Sequence, residues 1–384
     1  MPSDRSRSMT TEELLAETVD SARIREEEAI SELLGSAKGN VVLFGAGKIG
    51  RKVAIALRRG GIEPLAFADN DPRLNGTQIE GIPVLAPAVA AKRWGGKALF
   101  VVTTFLPKGG GMGARVAELS RLGCKRITSF LMVGWKYAGI LPHFAADRPS
   151  ELLRHASELG KVGRLWTDDL SRETYRKSLE WRLHARFDAE LQPVPDQYFP
   201  RDLLRPNSSE IFVDGGAYDG DTLRAAPWPF SKVLAIEPDP TNASLLRAAM
   251  GKHTQLHEVL LGSSPGSARF AGNGTMASSR SDAGSLDIPV TTLDDLTRGE
   301  HPTFVKLDIE GDELAAIRGG SVMLKREKPV IAVCVYHRPE DLWTITLLLG
   351  EFLPDHAMYL RAHAWDGFEL VAYAVPQARC QTPK

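Results

Sequence analysis

The stretch EIFVDGGAYDGDT, Glu210 to Thr222, followed by KVLAIEPDP, Lys232 to Pro240, decides the fold. An apolar run (Ile211, Phe212, Val213) reaches an acid, Asp214, and then a glycine-rich turn with Gly215, Gly216 and Gly220. A second apolar run (Val233 to Ile236) ends in another acid, Glu237. Strand, tight glycine loop, helix, strand and acid is the order of a nucleotide-binding α/β unit. Glycines let the backbone approach a ligand, and the second carboxylate sits where a ribose diol would lie.

Outward from this core the chain continues as an α/β domain. Strands are expected at 211–214, 233–237, 256–261, 304–309, 330–336, 357–362 and 369–375, the last two as an antiparallel hairpin turning near Asp366-Gly367. Five strands with long connections, closed by a hairpin, match a seven-stranded class I methyltransferase sheet. A dehydrogenase sheet would end without the hairpin. The Gly/Ser-rich stretch between 262 and 303 reads as a flexible loop or as a cover over bound ligand.

Residues 40–135 form a second, smaller Rossmann-like unit. Gly45-Ala46-Gly47-Lys48-Ile49-Gly50 is a full G-x-G-x-x-G after a strand, and Asp69 ends the next strand. Alone, it would point to an NAD(P)-dependent or nucleotide-sugar-binding oxidoreductase or regulatory protein. The unit is too short for a separate catalytic apparatus, and it holds no Tyr-x-x-x-Lys pair. Residues 1–39 are read as a helical segment with a start at Thr10 or Thr11, the first ten or so residues being disordered. Residues 136–210 are a helical connector ending in a proline-punctuated loop, and 211–384 are the catalytic domain.

Bulk properties narrow the function classes. The 384 residues carry a formal charge of −1, with 43% hydrophobic and 25% charged residues. That balance gives no electrostatic case for nucleic acid or for an anionic membrane as main partner. Cys124, Cys334 and Cys380 form neither a zinc spacing nor a disulfide framework. These cysteines read as reduced thiols of a cytoplasmic protein, no apolar stretch has membrane-spanning length, and the N-terminal helix is read as a packing or dimerisation helix of a homo-oligomer.

An acid placed before the glycines, as Asp214 is, suits a ligand with a cationic amino-acid end, such as S-adenosylmethionine. The alternative is a phosphate or dinucleotide loop. In this reading Asp214, Gly215, Gly216, Gly220 and Thr222 hold the amino-acid end, and Glu237 the ribose. Asp239 is expected to cap the helix that begins near Pro240. FVKLDIEGDE, Phe304 to Glu313, ends a strand in Asp308 with Glu310 two residues on. Strand ends line the ligand crevice of an open sheet, so Asp308 is expected to contact the methionine part of the cofactor, position the nucleophile or accept a proton. A metal held by Asp308 and Glu310 is the minority reading, since no third ligand lies nearby in sequence. VCVYHRPEDLW, Val333 to Trp343, ends a further strand in His337, a base by its residue type, with Asp308 orienting it.

YFPRDL, FVDGGAYDGDT, IEPDP, TTLDDL, VKLDIEGDE and VCVYHRPEDLW, in this order from Tyr198 to Pro376, resemble the FkbM family of S-adenosylmethionine-dependent methyltransferases. The resemblance implies methyl transfer, commonly to oxygen, on a small-molecule, glycan or peptide acceptor such as a natural product. It implies Asp214, Gly216, Gly220 and Glu237 as cofactor residues, and Asp308, Glu310 and His337 as active-site residues. GAGKIG, FADNDP and GIPVL resemble, more weakly, the nucleotide-sugar-binding half of certain acetyltransferases.

Overall fold

The structure is a computed structural model. It describes residues 9–104, 110–137, 147–186, 191–272, 274–275, 278–365, 367 and 369–381. The expectations for residues 1–8 and for the Asp366 half of the hairpin turn lie outside the described residues. The chain divides into two compact units. One comprises the described residues of 1–160, 173–192 and 364–368; the other those of 161–172, 193–363 and 369–384.

In the first unit, Thr10 caps the helix Thr11–Leu15 through a reciprocal capping box with Glu13. The helix Val19–Ser36 follows, burying Ala22, Ile30 and Leu34. The strands are β1 (Val41–Phe44), β2 (Ala66–Ala68), β3 (Gln78–Ile79), β4 (Ile82–Leu85), β5 (Leu99–Val102) and β6 (Arg126–Ser129). They make a sheet of order β3-β4-β2-β1-β5-β6, parallel but for the β3–β4 pair. β1 and β5 are buried at every residue, as a parallel sheet covered on both faces demands.

The second unit holds β7 (Ile211–Gly215), β8 (Lys232–Ile236), β9 (Thr254–His257), β10 (Leu260–Leu261), β11 (Gly266–Ala271), β12 (Ser279–Arg280), β13 (Leu286–Thr291), β14 (Phe304–Leu307), β15 (Val330–Cys334), β16 (His356–Ala362) and β17 (Leu370–Pro376). Seven of these form a sheet of order β16-β17-β15-β14-β7-β8-β9. All neighbours are parallel except β17, which runs antiparallel to both β15 and β16. The α/β class and the closing hairpin are therefore present as the sequence implies.

Two local expectations change. The strand expected at 256–261 is split: β9 joins the large sheet, whereas β10 leaves for a separate sheet of order β10-β13-β11-β12. The Gly/Ser-rich stretch supplies β11, β12 and β13 of that sheet rather than forming only a loop. Phe270 and Ile288 give it a small core, which its small-residue composition conceals.

Registers fix the site. Gly215 pairs with Ile236 and with Leu307, and Leu307 with Val333. The C-terminal ends of β7, β8, β14 and β15 thus meet along one edge of the sheet. Behind that edge, Phe199 packs on Phe212, Trp228, Phe230 and Phe304, forming an aromatic core under β7 and β14.

Candidate active site

The glycine loop is pressed against the end of β14. Gly216 has φ +77°, and a Cβ there would lie 1.8 Å from the Asp308 carbonyl oxygen. Only glycine satisfies both conditions. A Cβ on Gly215 would lie 2.9 Å from the Leu307 side chain, and Gly220, at φ +88°, starts the short helix Asp221–Ala225 that buries Thr222.

Asp214 is buried within β7, one residue before its C-terminal end. Its side chain is 0% exposed and lies 3.1 Å from Lys306 Nζ, on the neighbouring strand. Burial raises the Asp214 carboxyl above its usual range, with Lys306 pulling the other way. Lys306 stays an ammonium: burial opposes its charge, but Asp214 and Asp308 outweigh burial. The same ammonium donates to the Gly216 carbonyl at 2.6 Å and sits 5.2 Å from the centre of the Tyr198 ring. Asp214, read from the sequence as a contact to the ligand's amino-acid end, is thus paired with Lys306 in the interior of the sheet.

Glu237 lies directly after the C-terminal end of β8. Its Oε2 accepts from Tyr218 N–H and its Oε1 from Asp239 N–H, both at 2.9 Å. Burial nevertheless pushes its carboxyl up to about 7. Asp239 caps the helix Pro240–Ala249 as expected, accepting from Thr241 N–H at 2.9 Å. Its other oxygen accepts from Gly274 N–H at 2.9 Å and from Ser278 Oγ–H at 2.7 Å. Asn242 donates to the Thr275 carbonyl at 3.3 Å, and its buried Oδ1 has no hydrogen-bond partner. Described parts of the Gly/Ser-rich stretch are thereby tied beside Glu237.

Asp308, Glu310 and His337 converge, joined by Glu313. His337 Nε2 lies 3.4 Å from Asp308 Oδ1 and 3.8 Å from Glu310 Oε1; its Nδ1 lies 2.9 Å from Glu313 Oε1. Tyr198 donates its hydroxyl to Asp308 Oδ2 at 2.7 Å. Burial works against the Asp308 charge, but Lys306, His337 and Tyr198 hold that carboxyl below its ordinary value. Burial pushes Glu310 up to about 7, and its backbone takes the left-handed φ of +56°.

The His337 imidazole is only 4% exposed, and burial alone would strip its proton. Glu313, Asp308 and Glu310 overrule burial and raise it to about 10. His337, read from the sequence as the base, thus stands among three carboxylates that favour its protonated form. Lys306, Glu313 and Tyr198 all stand inside motifs recognised in the sequence, yet received no role there.

The N-terminal glycine motif is built as a tight turn. Gly45 has φ +118°, and a Cβ on Gly50 would lie 2.0 Å from the Gly45 carbonyl oxygen. Asp69 accepts from Ala46 N–H at 2.7 Å and from Asp71 N–H at 2.8 Å, so both its oxygens brace the loop.

Among the described residues no helix is long and apolar enough to cross a membrane. No curated protein matches the chain. The crystal structure of the methyltransferase FkbM from Methylobacillus flagellatus KT shares the fold, with a TM-score of 0.75 over 94% of this chain and 100% of that one at 21% identity. Residues 214–364 match the family model of the methyltransferase FkbM domain, so this part of the chain is similar to that family.

Proposed function

We propose that the protein is an S-adenosylmethionine-dependent methyltransferase acting on a hydroxyl of a small molecule, glycan or peptide. The observation that carries this reading is Glu237, held by two backbone N–H groups at the end of β8 and beside a glycine loop. A carboxylate fixed in this way accepts both hydroxyl protons of a ribose without reorganising. The unpartnered Asn242 Oδ1 beside it is a further acceptor that fits the cofactor's donors. When bound, S-adenosylmethionine supplies an electrophilic methyl group on a sulfonium.

The chain's own residues then act by position. Backbone groups from Gly215 to Gly220, with Thr222, receive the amino-acid end, while Asp214 and Lys306 hold that loop in place from beneath. Asp308 and Glu310, whose side chains are 21% and 28% exposed, face the acceptor, and Glu310 takes its hydroxyl proton. Holding nucleophile and methyl in line supplies much of the rate, so one modest base suffices.

Calorimetric titration of the whole chain with S-adenosylhomocysteine tests the reading. Micromolar binding that weakens at least tenfold in Glu237→Gln supports it. Absence of binding by the wild-type chain refutes it.

A further inference from the structure

The sequence assigns no metal, because Asp308 and Glu310 have no third ligand near them in the chain. Folding supplies one. Asp308 from the end of β14, Glu313 from the helix Glu313–Gly319 and His337 from beyond β15 each bring a donor atom within 4.8 Å of the others. From this geometry we propose that Asp308, Glu313 and His337 form a binding site for one divalent first-row cation of the Mn2+ type.

The donors are poorly used by the protein itself. The Glu313 side chain is 0% exposed and its Oε2 has no hydrogen-bond partner. His337 is 4% exposed, and neither ring nitrogen makes a well-aligned hydrogen bond. Asp308 Oδ1 is also without a hydrogen-bond partner. Buried polar atoms are ordinarily satisfied, so several orphans facing one another point to an absent ligand. Their chemistry makes it a cation, since carboxylate oxygens offer lone pairs and the imidazole offers one once the entering ion displaces its proton to solvent. Two hard oxygens with one nitrogen suit Mn2+ or its neighbours better than Ca2+, which prefers an all-oxygen cage.

The site deepens the methyl-transfer reading and rests on it only for its purpose. Glu313 forms the closed side, whereas Asp308 and Glu310 hold the exposed side, from which an acceptor oxygen would approach. A cation there orients and polarises that oxygen, leaving its proton easier for Glu310 to take.

The test uses the whole chain, stripped with a chelator and titrated with Mn2+ while free Mn2+ is followed by electron paramagnetic resonance. The expected result is one bound Mn2+ per chain, with affinity at least tenfold weaker in Asp308→Asn and in His337→Gln. No uptake by the wild-type chain, or uptake unchanged in both variants, overturns the site. Thermal melts without metal establish that each variant folds; should His337→Gln fail, the partly exposed Asp308→Asn decides. Titration of the same stripped sample with S-adenosylhomocysteine separates the two proposals. Binding of that ligand without Mn2+ uptake overturns the metal site alone, and Mn2+ uptake without it overturns methyl transfer alone.

Discussion

Lys306 Nζ and Asp214 Oδ1 face each other at 3.1 Å in the interior of the sheet, on residues paired in register between β14 and β7. The side chains are 2% and 0% exposed. An ion pair this deep contributes little net stability against its desolvation cost. Its effect here is positional: the ammonium also holds the Gly216 carbonyl, and thus the loop facing the ligand edge.

Breaking one side of the pair strands a buried charge. Lys306→Met should cost about 3–5 kcal/mol, the usual penalty for orphaning a buried partner. Lys306→Met combined with Asp214→Leu should recover most of that stability, because the uncompensated carboxylate is gone. Denaturant unfolding of the wild-type chain, both single variants and the double variant measures the coupling. Purely additive losses would contradict the pair.

Gly216→Ala should uncouple stability from ligand binding. The new Cβ meets the Asp308 carbonyl oxygen at 1.8 Å and the φ of +77° is strained for alanine, so loop and strand end must separate. A stability loss of about 1–3 kcal/mol is expected from the backbone conflict. S-adenosylhomocysteine affinity should fall at least tenfold, even where the variant remains folded by circular dichroism. Retained affinity would show that the loop's contact with Asp308 is not needed for binding.

What the sequence made legible is local, and what it hid is long-range. Asp214, Gly216 and Glu237 lie within one strand-loop-strand segment, where periodicity and glycine placement suffice to locate them. Lys306 stands in an apolar strand as an isolated charge, and only its partner, 92 positions earlier, explains why it is tolerated. Glu313 opens a helix, where an acid needs no other reason. Its approach to His337 depends on β14 and β15 being neighbours. His337 reads as a base by residue type, and the carboxylates that surround it, Asp308, Glu310 and Glu313, all come from another segment.

Glu237 should make ligand binding depend on pH. Its carboxyl is pushed up to about 7 by burial, against the pull of the Tyr218 and Asp239 N–H groups and with the Asp239 charge adding to the rise. Ribose hydroxyls are donors, so they favour the ionised form, and affinity should fall as pH drops through that value. Between pH 8 and pH 6 S-adenosylhomocysteine should bind roughly tenfold more weakly, the effect of one proton per site. In Glu237→Gln binding should be weak at both values and lose most of this slope. Calorimetry at the two pH values decides, and an equal slope in the variant would place the titrating group elsewhere.

Asp239 joins two elements that the sequence treats separately, a helix start and the Gly/Ser-rich stretch. One oxygen caps the helix Pro240–Ala249, and the other holds Gly274 N–H and Ser278 Oγ–H. Asp239→Ala should cost about 1–2 kcal/mol through the lost cap and the freed donors. Asp239→Asn keeps an acceptor for Thr241 but turns the second position into a donor toward Gly274 and Ser278, so it should preserve the cap while releasing the stretch. If that stretch covers bound cofactor, Asp239→Asn will speed S-adenosylhomocysteine dissociation several-fold with little change in thermal stability. Stopped-flow displacement beside a thermal melt separates the two effects. An unchanged dissociation rate, with protection of the Gly274 amide lost in hydrogen exchange, would show that the tether orders the stretch without covering the ligand.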